Sequence, residues 1–142
     1  MNLFPIEKLS DIPKSNLIRS VYLLPFTEDG KLVITKNERG WDVIGGHIEP
    51  IDESVLDGLK RESLEEASVV FHNIQAFAAL QFSGNDDFMV FYVSNDIEIK
   101  KVTEHYNDVY GRDVVSIDEF ISKYYGDKSL MQKIITLAIM HI

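Results

Sequence analysis

Residues 45–70, GGHIEPIDESVLDGLKRESLEEASVV, are the most informative part of this 142-residue sequence. A glycine pair begins the stretch, and an acidic segment with the pairs Arg61-Glu62 and Glu65-Glu66 follows it. Residues three and four apart share one face of a helix, so Glu62, Glu65 and Glu66 are expected to point in one direction. Because three close carboxylates repel one another, the pattern favours a divalent cation among them, and magnesium takes oxygen ligands of this kind.

The same stretch resembles the Nudix box, the signature of hydrolases that cleave a nucleoside diphosphate linked to another group. In that pattern a glycine and a glutamate precede Arg-Glu, an apolar residue, any residue, Glu-Glu, any residue, a glycine and an apolar residue. The following residues can be laid onto it: Gly46, Glu53, Arg61, Glu62, Glu65, Glu66 and Val69. The spacing from Glu53 to Arg61 agrees with the family, and the match is specific because it involves several charged residues at once.

The sequence departs from the family pattern in three places. The loop between Gly46 and Glu53 is one residue longer than in the family, and Asp52 is the alternative match, which would move the extra residue into the helix. A loop accommodates an insertion more easily than a helix, where one residue rotates everything beyond it by about 100°, so Glu53 is preferred. Ser63 replaces an apolar residue and Ser68 replaces the glycine, changes that concern packing and helix termination.

The composition is typical of a globular protein, and the chain is acidic. The hydrophobic fraction is 45%, the charged fraction is 26% and the net charge is −9. This charge argues against a protein whose main task is to bind a nucleic-acid backbone, because such binding depends on neutralising phosphates. The sequence contains no cysteine, which fits a reducing compartment. Neither a signal peptide nor a membrane span is recognisable, so a cytoplasmic location is expected.

Local patterns predict a single domain over residues 1–142. Residues 1–16 read as an irregular N-terminal arm, and a helix is expected from about Ser54 to Ala67 with a glycine, Gly58, in its interior. Such a glycine costs about 1 kcal/mol relative to alanine, and permits close packing against another backbone. Strands are predicted at residues 17–24, 31–36, 73–82, 88–94, 97–102 and 113–115.

Two further helices are expected near the C-terminus. A capping box at residues 116–119 begins a helix through about Tyr125. Asp127 or Ser129 caps a final amphipathic helix within residues 127–142. This order of elements predicts an α+β domain with helices packed on a mixed sheet. The Nudix resemblance, which extends from about Arg19 to about Tyr125, implies the α/β/α sandwich of that family.

The resemblance also implies the metal site. In the family, magnesium, or alternatively manganese, is held mainly by the glutamates that match Glu62, Glu65 and Glu66. A backbone carbonyl of the glycine loop, Gly45 or Gly46 here, completes the set. Residues matching Glu53 and Arg61 support these ligands, because a guanidinium can hold a carboxylate in a fixed orientation.

The general base has two candidate positions. In some members it is a glutamate of the box, which corresponds to Glu65 or Glu66. In others it comes from a loop ahead of the last helix, here residues 102–111, where Glu104 is the first choice and His105 and Asp108 come behind it.

Several other residues can be interpreted either as structural residues or as functional ones. His47 and Glu49 are either further metal contacts or exposed loop residues, and Trp41 is better explained as a core residue than as a stacking platform. Arg19 and Arg39 are plausible phosphate contacts. The following aromatic residues alternate in strands, so that one or two are expected to line a cleft: Phe82, Phe88, Phe91 and Tyr92.

The leading functional hypothesis is a Mg²⁺-dependent pyrophosphohydrolase acting on a nucleoside diphosphate derivative. The alternative is a catalytically weak or inactive nucleotide-binding or regulatory module on the same fold, and a third hypothesis is an acidic protein-interaction domain. The expected partner is a small nucleotide rather than a nucleic-acid polymer or a membrane, and many members of the family form homodimers. The sequence carries no signature that identifies the substrate.

Overall fold

The computed structural model describes residues 1–82, 87–102 and 111–142. Its first helix, α1, spans Val55–Ala67, as the sequence predicts. The side chain of Ser54 caps it by accepting a hydrogen bond from the Asp57 amide at 3.1 Å. Leu59 and Ala67 face the interior, whereas Leu56 remains 40% exposed.

Within the described residues the strands form two sheets. Eight strands are present: β1 (Asn2–Pro5), β2 (Ile18–Pro25), β3 (Leu32–Asn37), β4 (Gly40–Asp42), β5 (Ile44–His47), β6 (Val69–Gln81), β7 (Phe88–Ile99) and β8 (Gly111–Val115). A five-stranded sheet has the order β1-β6-β7-β2-β5, and a three-stranded sheet has the order β4-β3-β8. The larger sheet is mixed, because β2 pairs parallel to β7 while its other pairs are antiparallel.

Two more helices follow the strands. Helix α2 spans Ile117–Lys123 with Ser116 as its N-cap, and α3 spans Lys128–Ile139 with Asp127 as its N-cap. One hydrophobic cluster packs α2 and α3 through Phe120, Ile134 and Ile135. A second cluster packs α1 through Leu59 and Ala67. Helices therefore cover both faces of the strands, which confirms the predicted α+β sandwich.

Several element boundaries differ from the sequence-based expectation. Residues 2–5 of the predicted irregular arm form the edge strand β1, because this segment pairs antiparallel with β6 and places Leu3 and Phe4 against the core. Strand β6 begins at Val69, directly after α1, and β7 continues through Ile99 instead of dividing into two strands. No helix in the described part of the chain is long and apolar enough to cross a membrane.

Candidate functional site

The glycine pair forms a close contact between β5 and its neighbours. Gly45 has a φ of 149°, and a Cβ atom there would lie 2.2 Å from the Val21 carbonyl oxygen. A Cβ atom on Gly46 would lie 2.8 Å from Oε1 of Glu62. The first glycine is therefore needed for strand pairing, and the second leaves space for a carboxylate of α1 against the backbone.

Arg61 is the centre of an acidic network on α1. Its Nε donates to Oδ1 of Asp52 at 2.9 Å and its Nη2 donates to Oδ2 at 3.0 Å, which is a bidentate pair. Nη1 donates to Oε1 of Glu62 at 3.1 Å and to Oε2 of Glu65 at 3.4 Å. The guanidinium thus holds two box glutamates and one loop carboxylate at once.

The loop carboxylate that pairs with Arg61 is Asp52, the alternative match to the family glutamate, whereas Glu53 is the match that the sequence favours. The Asp52 side chain is only 3% exposed, whereas Glu53 is exposed and directly precedes the cap residue. The Asp52 carboxylate also accepts the Glu49 amide at 2.8 Å, which ties it into its own loop. The hydrogen bonds that Arg61 donates to Asp52 hold the pKa of this carboxyl group below its ordinary value. The physical reason for the difference is the folding of the longer loop, which turns Asp52 inward.

Gly58 explains how this loop can lie so close to α1. A Cβ atom at this position would lie 3.0 Å from both Oδ2 of Asp52 and Cδ1 of Ile48. The glycine inside the helix thus accommodates side chains of the loop, and Asp52 can reach Arg61 across it. Its cost to helix propensity is offset by this contact.

Glu66 is a half-buried box carboxylate that lies against the glycine loop. Its Oε1 accepts a hydrogen bond from the Gly45 amide at 3.1 Å, and its carboxyl group is hydrogen-bonded with Glu62. Burial, followed by the hydrogen bond and the charge of Glu62, raises the pKa of Glu66 to about 9. Because a second negative charge beside Glu62 is unfavourable, this arrangement favours the neutral form of Glu66.

The pair Glu62–Glu66 fits a divalent cation. The two carboxyl groups lie close together beside the glycine loop, and a bound cation would offset their mutual repulsion and take the same oxygens as ligands. Among the described residues, however, no three acidic or histidine side chains converge on a common point. Glu65 instead points toward Arg61, with its side chain 31% exposed.

The two serines that depart from the family pattern have structural roles. Ser63 is fully buried, and its hydroxyl group donates to the Val69 carbonyl at 2.8 Å, linking α1 to β6. Ser68 is the C-cap of α1 with a φ of 53°, the left-handed conformation that glycine adopts most easily. Both changes thus concern packing and helix termination, as the sequence indicates.

A cleft of about 570 Å³ opens beside Glu66 and the glycine pair. Most of its lining side chains are aromatic or apolar, and they come mainly from β2, β6, β7, α3 and the residues between α2 and α3. The aromatic ones are Tyr22, Phe82, Phe91, Tyr124 and Tyr125. Phe82 and Phe91 are therefore the cleft residues among the predicted aromatics, whereas Phe88 and Tyr92 pack in the core beside α1.

Sequence reasoning missed Asp42, which lines the same cleft. Its Oδ1 accepts the Val43 amide at 2.7 Å, and its carboxylate is hydrogen-bonded with the Tyr125 side chain. Burial is the main cause that raises the pKa of Asp42 to about 6. The sequence feature that could have identified Asp42 is the position of an acidic residue between Trp41 and the apolar residues that follow it.

The remaining predicted residues occupy different surroundings. Arg39 lines the cleft with its guanidinium 5.2 Å from the Tyr125 ring centre, but Arg19 lies 3.7 Å from Asp87. Trp41 packs against the core, as predicted, with ammonium groups of Lys36 and Lys123 near its ring.

The loop residues that the sequence suggests as metal contacts lie near Arg61. His47 is exposed and contributes its carbonyl oxygen to Arg61 at 3.4 Å, and Glu49 lies 3.6 Å from the same guanidinium. The alternative general bases Glu104, His105 and Asp108 lie outside the described residues.

Comparisons with known proteins identify the family and the fold. The family model described as the NUDIX domain matches residues 16–135. A MutT protein of Aliivibrio salmonicida or Vibrio cholerae has a similar structure, with a TM-score of 0.64 and 19% identity over 87% of this chain and 98% of that chain. No curated protein matches the chain.

Two further solved structures show the same fold. The pyrophosphohydrolase BsRppH of Bacillus subtilis has a TM-score of 0.62 at 19% identity, covering 79% of this chain and 70% of that chain. The NUDIX domain of Shewanella oneidensis NrtR, solved in complex with ADP ribose, has a TM-score of 0.60 at 17% identity, with 82% of each chain covered.

Proposed function

This chain belongs to the NUDIX family, and from that premise we propose that it is a magnesium-dependent hydrolase that cleaves the phosphoanhydride bond of a nucleoside diphosphate derivative. Water attacks one phosphorus atom, and a nucleotide or phosphate leaves. The expected ligand is a small nucleotide derivative. A cytoplasmic location and pairing as a homodimer stay predictions.

One observation carries this proposal: the carboxyl pair Glu62–Glu66 lies against the glycine loop at a cleft of about 570 Å³. Aromatic side chains line the cleft, and planar bases stack on such surfaces. A nucleotide bound there would place its phosphates near acidic side chains. A cation between these two negatively charged groups would offset their repulsion. The location therefore supports both a nucleotide and a metal ion.

Glu62 and Glu66, with the backbone carbonyl of Gly46, are the groups that would hold magnesium, and Glu65 would join them by turning away from Arg61. When bound, the ion screens the charge of the pyrophosphate, orients it and lowers the pKa of a water molecule. Manganese is the alternative ion.

The chain's own residues contribute orientation. Arg61 holds the carboxylates of Glu62 and Glu65, and Asp52 fixes the guanidinium through its two hydrogen bonds. The Gly45 amide holds Glu66 at the edge of the cleft. Correct orientation of metal ligands typically affects metal affinity or activity by about 10–100-fold.

The general base is assigned to a box glutamate or to Glu104. Glu65 is the more accessible of the box pair, since its side chain is 31% exposed while Glu66 is hydrogen-bonded to the backbone. Substituting Glu65→Gln and Glu104→Gln separately, and following the pH dependence of kcat, distinguishes these candidates.

A hydrolysis screen tests the proposed function. Purified protein and its Glu66→Gln variant are incubated with magnesium and a panel of nucleoside triphosphates, nucleotide sugars, dinucleotides and ADP-ribose. We expect turnover by the wild type and a loss of at least about 100-fold in the variant. Equal turnover by both proteins would contradict the metal site.

The same samples distinguish the alternative hypothesis of a binding module. Melting temperatures are recorded with magnesium and with each nucleotide, because a ligand that binds the native state raises them. A rise without any product would favour binding without hydrolysis. No turnover and no change in melting temperature would favour the third hypothesis, an acidic interaction domain.

A further inference from the structure

We propose that Asp42 is a specificity-determining residue of the cleft, where its carboxylate accepts two neighbouring N–H groups from the edge of a ring base. Guanine presents such an edge through its ring N–H and its exocyclic amino group. This inference rests on the proposed nucleotide site and specifies which base that site takes.

The hydrogen bonds of Asp42 leave it able to accept more. An ionised carboxylate has about four lone-pair positions. Among the described residues, its hydrogen-bond partners are the Val43 amide and the Tyr125 side chain. About two positions therefore remain, and Asp42 is one of the residues that line the cleft from which further donors would come.

The charge state of Asp42 determines which hydrogen-bonding edge of a base it can recognise. Burial raises its pKa to about 6, so the group is mostly a carboxylate at neutral pH and accepts hydrogen bonds without donating one. Adenine and cytosine place a ring acceptor beside their amino group, and that acceptor would face the carboxylate oxygens. Uracil offers a single donor between two carbonyl oxygens. Guanine alone of the four places two donors side by side.

The walls of the cleft suit a flat ring. Tyr22 and Phe91 stack with ring centres 5.2 Å apart and an interplanar angle of 23°. Tyr124 and Tyr125 lie across the α2–α3 junction with ring centres 5.3 Å apart. A base that reaches Asp42 is thus bordered by aromatic side chains, which bases contact through their faces.

Arg39 makes a cationic ligand a poorer fit than a base. Its guanidinium lies 5.2 Å from the Tyr125 ring centre, and its charge acts on Asp42. An ammonium group entering the cleft would meet this positive charge beside the carboxylate. A neutral base donates to Asp42 without that repulsion.

Binding of nucleoside monophosphates tests the inference. GMP, IMP, AMP and CMP are titrated by calorimetry in the presence of magnesium, since a monophosphate contains no phosphoanhydride to cleave. IMP differs from GMP only in lacking the exocyclic amino group. We expect the wild type to bind GMP at least about tenfold more tightly than IMP, because one hydrogen bond to a charged group is lost.

The variant Asp42→Asn is expected to bind GMP and IMP with similar affinity, because its amide nitrogen cannot accept. The matched control Asp118→Asn removes an exposed carboxylate of α2 and is expected to retain the wild-type preference. Equal binding of GMP and IMP by the wild type, an undiminished preference in Asp42→Asn, or no binding of any monophosphate would overturn the inference.

The outcome is independent of catalysis. A preference for GMP without turnover in the hydrolysis screen would contradict only the proposed function. Turnover without a preference for GMP would contradict only the role of Asp42.

Discussion

Arg61 and Asp52 form a bidentate ion pair, with distances of 2.9 Å from Nε to Oδ1 and 3.0 Å from Nη2 to Oδ2. The pair joins the loop before α1 to the face of α1 that carries the box glutamates. Since the same guanidinium also donates to Glu62 and Glu65, the loop controls the orientation of two proposed metal ligands.

Removing one side of this pair is expected to reduce activity more than stability. Asp52→Asn replaces an accepting oxygen with an amide nitrogen, so Arg61 loses one of its two parallel bonds and the glutamates lose a fixed neighbour. We expect kcat/KM to fall about 10–100-fold. The matched control Glu53→Gln changes the adjacent exposed residue and is expected to keep kcat/KM within about twofold of the wild type, given that such surface changes usually have small effects. If Glu53→Gln were the more damaging change, Glu53 would be the supporting residue after all.

The preference for Glu53 over Asp52 shows where local patterns stop being sufficient. Helix α1 and its acidic face could be predicted because helical spacing depends on neighbours a few residues apart. Which carboxylate meets Arg61 depends instead on how the loop folds over Gly58, where a Cβ atom would lie only 3.0 Å from Oδ2 of Asp52. Asp42 was missed for a similar reason, since the α2–α3 junction that completes its cleft is distant in sequence.

The two glycines of the pair are expected to respond differently to alanine. In Gly46→Ala the new Cβ atom would lie 2.8 Å from Oε1 of Glu62, the end of a side chain that can move. We expect a folded protein with at least about tenfold lower kcat/KM, because Glu62 is displaced from the loop.

In Gly45→Ala the Cβ atom would lie 2.2 Å from the backbone oxygen of Val21, and the φ of 149° is unfavourable for alanine. We expect a strongly lowered melting temperature or insoluble protein. Circular dichroism melts and kinetics of both variants provide the comparison. Similar losses of stability in both would show that Gly46 also serves strand pairing.

Replacing Ser68 with glycine is expected to stabilise the fold. Ser68 caps α1 at a φ of 53° and a ψ of 41°, a conformation that costs a residue with a Cβ atom about 1 kcal/mol relative to glycine. Because glycine also has more freedom in the unfolded chain, we expect a smaller net gain, of up to about 0.5 kcal/mol in the free energy of unfolding, measured with urea. A loss of stability in Ser68→Gly would mean that the serine side chain makes a compensating contact.

The last expectation concerns the pH dependence of stability caused by Asp42. Burial raises its pKa from 3.8 to about 6 in the folded protein, so the folded state binds the proton more tightly than the unfolded state. The corresponding stabilisation is fully present below pH 3.8 and is lost as the pH rises through about 6. Asp42→Asn keeps a neutral side chain at every pH, and is therefore expected to exceed the wild type by about 3 kcal/mol in free energy of unfolding above pH 7.

That advantage is expected to shrink as the pH falls and to vanish near pH 4, where the wild-type carboxyl group is itself neutral. Urea titrations at a series of pH values, in metal-free buffer containing a chelator, measure the difference between the two proteins. Asp118→Asn serves as the matched control, because its carboxylate is exposed on α2 and is not part of the cleft. A gain in Asp42→Asn that stayed constant from pH 4 to pH 8 would show that the buried charge of Asp42 is not its cause.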